Sequence, residues 1–123
     1  MSSLWSHYKN TFNDGDRLLK AYLILDFEIT NLSEFMEYVD KIPGFLSKHA
    51  GRYLVEGVTP DILEGEWQPK TIVVLEFETQ KNVNNFLSDP EVKQLFSIRH
   101  KNTKSNLIKV NGGSWRDELL INT

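Results

Sequence analysis

The chain contains no cysteine. That excludes disulfides, thiolate metal sites and cysteine nucleophiles, and it fits a reducing compartment, so a cytoplasmic location is the default expectation. Long apolar runs are missing as well. None approaches the roughly 20 residues of a membrane span, and Met1-Ser2-Ser3-Leu4-Trp5-Ser6-His7 lacks the basic-then-apolar order of a signal peptide. The expectation is a soluble protein with no membrane partner. An excess of positive charge is also absent: Lys and Arg total 14 against 17 Asp and Glu, a formal charge of −3. Such a balance gives no long-range attraction to phosphate backbones and argues against nucleic acid as a partner. His7, His49 and His100 show no metal-ligand spacing, no serine sits in a nucleophile elbow, and Gly112-Gly113 is followed by no helix that would make it a phosphate loop. Neither a metal nor a cofactor is expected.

What remains is one domain's worth of core. With 123 residues, 40% of them hydrophobic and 11% aromatic, the chain can bury a single core. From Lys20 to Ile29 it alternates, Ala21, Leu23, Leu25, Phe27 and Ile29 on one side, Tyr22, Ile24, Asp26 and Glu28 on the other, which predicts a strand. Asn31, with Glu34 three positions on, then predicts a helix start. Its apolar positions Leu32, Phe35, Met36, Val39, Ile42, Phe45 and Leu46 follow helical spacing. Pro43 is expected to kink or split this helix near Lys41, and Gly51 to serve as its left-handed cap. Arg52 to Gly57 and Thr71 to Glu78 read as two paired strands around a long connection bearing Trp67 and Pro69. Gln80 to Ser88 is helical, and Asp89-Pro90-Glu91 restarts the helix with Asp as cap. The basic run Arg99-His100-Lys101 falls at its C-terminal end, where cations complement the helix dipole. Ser105 to Val110 is a fourth strand.

Three segments result: an irregular arm (1–17), a domain (18–112) and a tail (113–123) carrying one short helical turn near Glu118-Leu119-Leu120. The order β-α-β-β-α-β is the ferredoxin-like α+β arrangement, an antiparallel sheet with strand order 4-1-3-2 and both helices on one face. RNA-recognition modules share this topology but present a basic and aromatic third strand, whereas Ile72, Val74 and Glu76 occupy that face here. The face bearing Tyr22, Ile24, Asp26, Ile72, Val74 and Glu76 is too apolar to be left in water, so a homodimer formed through it is expected.

Ala21-Tyr22-Leu23-Ile24, Gly51-Arg52-Tyr53-Leu54-Val55, Leu63-Glu64-Gly65 with Trp67 and Pro69, Val74-Leu75-Glu76-Phe77 and Asp89-Pro90-Glu91 resemble the DUF1330 family, small proteins of unassigned function. The resemblance covers about Lys20 to Gly112. It implies a dimeric α/β barrel in which two ferredoxin-like subunits join their open sheet faces; superfamily relatives include cofactor-independent monooxygenases, a lactone isomerase and stress-induced ligand binders. Ala50 stands where the family commonly has a second glycine before Gly51-Arg52. Val92 stands where an aromatic usually follows the Pro-Glu step, and Phe86-Leu87 replaces a more aromatic pair.

The topology brings Tyr22, His49, Arg52 and Glu76 to one end of the sheet. His49 continues the inward stripe of the first helix and is either an acid or base near neutral pH or a histidine finishing a helix. Arg52 either clamps a carboxylate ligand or pairs with Glu76 or Glu78. Glu76, in an apolar central strand, needs a partner or a raised pKa suited to proton transfer. At the opposite end stand Trp67, a cover for the sheet or a flat wall for a planar ligand, and Arg99, whose stem covers apolar surface while its head reaches water or a ligand. Two functional classes stay open. One is a cofactor-independent enzyme, isomerase- or monooxygenase-like, acting on a small organic acid or aromatic metabolite, with Arg52 orienting an anion and His49 or Glu76 moving a proton. The other is a non-catalytic ligand-binding or interaction dimer. An enzyme of that kind needs a cavity of a few hundred cubic ångströms beside His49, Arg52 and Glu76.

Overall fold

The computed structural model describes residues 19–116. The expected irregular arm and the helical turn near Glu118 lie outside the described residues. Within them, strand β1 (Ala21–Ile29) leads into helix α1 (Leu32–Lys48), followed by strands β2 (Gly51–Val58) and β3 (Thr71–Phe77). Helices α2 (Gln80–Ser88) and α3 (Pro90–Asn102) then precede strand β4 (Thr103–Asn111). The sheet is antiparallel with order β2-β3-β1-β4, the ferredoxin-like topology that the element order implies. No described helix is long and apolar enough to cross a membrane.

Alternation along β1 decides which face carries the helices. Ala21, Leu23, Leu25 and Phe27 are buried together with Val73, Leu75 and Phe77, and onto them pack Phe35, Ile42 and Leu46 of α1, Val83 and Phe86 of α2, and Val92 and Leu95 of α3. Each such side chain contributes about 1.5–3 kcal/mol on burial, so this layer is the principal stabilising element. The other face has no helix over it among the described residues. There Tyr22 pairs with Glu76 and Val110, Ile24 with Val74 and Ile108, and Asp26 with Ile72 and Asn106.

Local signals place the helix ends. Asn31 accepts the backbone N–H of Glu34, Thr79 that of Asn82, and Asp89 that of Glu91, while Pro90 opens α3 where a missing N–H costs nothing. Two expectations need correction. Pro43 does not split α1, which runs unbroken from Leu32 to Lys48; buried Ile42 and Leu46 pin the turns on either side to the core, and that packing outweighs the lost hydrogen bond. The left-handed residue after the helix is Ala50 (φ 57°) rather than Gly51, which already belongs to β2. Gly51 is required for a different reason: a Cβ there would stand 2.6 Å from Phe77 Cε1. Strand β2 departs from regular pairing twice, between Tyr53 and Val55 and between Glu56 and Val58, and Gly57 (φ +71°) supplies the positive φ at the second irregularity.

Candidate functional site

Of the four groups expected at one end of the sheet, the fold gathers three. Glu76 on β3 lies directly between Tyr22 of β1 and Arg52 of β2 in the register. The Arg52 guanidinium donates to Glu76 Oε1, Lys20 Nζ stands 3.4 Å from the same oxygen, and Arg52 and Lys20 also reach Glu78 at 3.7 and 3.6 Å. Burial alone would push the Glu76 carboxyl up; hydrogen bonding from Tyr22 and the charges of Arg52 and Lys20 outweigh it, and the net direction is downward. The same contact raises Tyr22, whose hydroxyl then resists ionisation. Glu76 is thus an ionised, fully engaged carboxylate on the open face of the sheet.

His49 belongs to a different group. As the residue ending α1 it falls on the helix-bearing side, its ring 6.0 Å from that of Phe86 and its Nε2 2.8 Å from Asp89 Oδ2. Lys48 Nζ approaches the same oxygen at 3.1 Å. The Asp89 carboxyl is held down at about 2, chiefly by the hydrogen bond from His49, then by that from Lys48, with the Glu91 N–H adding to them against the opposing effect of burial. This pair ties the end of α1 to the start of α3.

An apolar cavity lies elsewhere. A cleft of about 340 Å³ opens between α1, α3 and the helix-bearing face of the sheet, and His49, Arg52, Glu76 and Trp67 do not line it. Its floor is Leu25, Phe27, Val73 and Leu75, and its walls include Phe35, Tyr38, Tyr53 and Phe96. Ile29, Leu32 and Met36 line it and are also exposed, as are Glu56 and Gly57 on the edge strand, so the mouth runs between the first turns of α1 and the end of β2. Trp67 is 66% exposed on the connection before β3.

Arg99 does line the cleft, and the expectation that its head reaches water is corrected: the residue is 2% exposed. It sits on the inward stripe with Val92 and Leu95, far enough along α3 that its head stays under the helical layer. The guanidinium carbon lies 4.2 Å from the centre of the Phe96 ring and 5.7 Å from that of Tyr38. Its Nη1 donates to the Tyr38 hydroxyl at 3.4 Å, Nη2 is 3.2 Å from His100 Nε2, and Nε has no hydrogen-bond partner among the described residues. Tyr53 is pushed strongly up, first by burial and then by Tyr38 and Glu56 beside it, so it stays a neutral hydroxyl. Tyr38 was missed in the sequence reading, although its place between Phe35 and Ile42 at helical spacing marks it as inward-facing.

Comparisons with other proteins agree with the topology. A structure of a protein of unknown function from Rhodopseudomonas palustris superposes with a TM-score of 0.66 at 12% identity, covering 88% of this chain and 93% of that one. SnoaB, a cofactor-independent oxygenase from Streptomyces nogalater, superposes with a TM-score of 0.55 at 10% identity, covering 78% of this chain and 95% of that one. At these identities the likeness is one of fold. No curated protein matches the sequence. The family described as a domain of unknown function, DUF1330, matches residues 20–113, and the chain therefore belongs to the DUF1330 family.

Proposed function

We propose that the protein binds a small organic molecule in the cleft between α1, α3 and the sheet, and that it does so as a homodimer joined through the open sheet face. The cleft carries this reading: an apolar space of about 340 Å³ with an exposed rim has the size and character of a ligand site. For the dimer, the support is the half-exposed row of Leu54, Ile108 and Val110 beside Ile24, Ile72 and Val74, apolar surface of a kind that a second copy would cover.

A cofactor-independent enzyme, the reaction class of SnoaB, is the second reading, favoured by the cleft being large enough to enclose a substrate. Its proton-moving group would be Glu56 at the rim, since Tyr53 is held neutral, and His49, hydrogen-bonded to Asp89, and Glu76, paired with Arg52, both lie outside the cleft. Binding is the better supported of the two, because the lining is dominated by hydrocarbon and rings.

Met36→Trp tests the reading by filling the mouth from an exposed position. Small apolar molecules extracted from the purified wild-type protein and identified by mass spectrometry should be absent from the variant, with the melting temperature of the emptied protein unchanged. Equal recovery of the same molecules from both proteins would place the ligand outside the cleft.

A further inference from the structure

Among the described residues, one buried cation has no anion beside it. Arg99 is 2% exposed, no carboxylate among the described residues stands within ion-pair distance of it, and its polar neighbours are the Tyr38 hydroxyl and the His100 ring. A guanidinium stays charged at any accessible pH, and an uncompensated buried charge is costly. Packing against Phe96 and Tyr38 offsets part of that cost. It does not satisfy Nε, which is buried and has no hydrogen-bond partner among the described residues. An anion beside the guanidinium would offset that cost, and Arg99 lines the cleft.

We infer that the ligand is an aromatic monocarboxylate of about two fused rings, its carboxylate seated on Arg99 and its rings among Phe27, Phe35, Tyr53 and Phe96. This deepens the binding reading above and rests on it. Charge sets the head group: a carboxylate presents two oxygens to a guanidinium edge and would take up Nε, with the Tyr38 hydroxyl free to turn and donate to it. Size sets the body. The cleft's 340 Å³ is roughly twice the ~150 Å³ that accommodates a single benzene in an apolar cavity. Ring faces along the walls favour a flat aromatic body over a flexible chain.

The test is calorimetric titration of the full chain with 2-naphthoate and with 2-naphthamide, nearly equal in shape but differing in charge. Wild-type protein should bind the acid about tenfold or more tightly than the amide. In Arg99→Met, which keeps the stem and removes the charge, the preference should vanish while amide binding persists, and the unliganded variant should melt no lower than wild type. An independent readout follows the Arg99 Nε–H resonance by ¹⁵N NMR in the wild type, which the acid should shift and the amide should not. Equal wild-type affinities, a preference that survives in Arg99→Met, or an Nε–H signal indifferent to the acid would overturn the assignment of Arg99 while leaving the cleft as an apolar site. Binding of neither compound would remove the cleft reading along with it.

Discussion

At the residue scale, two positions make sharp demands on side-chain identity. Ala50 holds φ at 57°, a region in which a Cβ costs about 1–2 kcal/mol. Ala50→Gly should raise stability by about 1 kcal/mol in urea unfolding, part of the relieved strain being returned as entropy in the unfolded chain. Asp89 makes an electrostatic demand. Because its folded carboxyl sits at about 2 and its ordinary value is 3.8, its stabilising contribution is complete above the ordinary value and is lost as pH falls through about 2. Urea midpoints measured from pH 6 down to pH 2 should therefore fall less steeply in Asp89→Asn than in wild type, with the two curves converging at the acid end.

Elements show how much of this was legible and where legibility stopped. Alternation in β1 and β3 fixed the buried face, because a strand's side chains can only go to one side or the other. The capping residues Asn31 and Asp89 located the starts of α1 and α3 closely. Pro43 misled because propensity is local while the anchoring of Ile42 and Leu46 is tertiary; Val39 C=O is left without its usual donor, and the packing tolerates it. Since Pro43 is exposed, Pro43→Ala should stabilise α1 by about 1–3 kcal/mol, read as a rise in the denaturation midpoint at constant slope. The site was harder to read. Arg99 fell on the right stripe, but whether a long cation emerges from or stays beneath a helix depends on the neighbouring helix, here Tyr38 of α1, 61 residues away. The cleft is harder still: a void is the difference between volumes supplied by several elements, and no periodicity in one of them records it.

For the whole molecule, the decisive quantity is the uncovered side of the sheet. Val74→Arg, at its centre between Ile24 and the bulge of β2, should convert a sedimenting dimer into a monomer without loss of the far-ultraviolet circular dichroism of the fold. A wild-type protein that sediments as a monomer at micromolar concentration would remove the dimer from the proposal and leave the cleft untouched.

The rim of the cleft, between α1 and the edge of β2, opens on the opposite side of the sheet from the surface assigned to self-association. Under the proposed binding and pairing, traffic in and out of the interior would be independent of assembly, guests exchanging without the two halves ever parting. The off-rate of a bound acid should accordingly be the same at dilutions where pairs persist and where they have come apart.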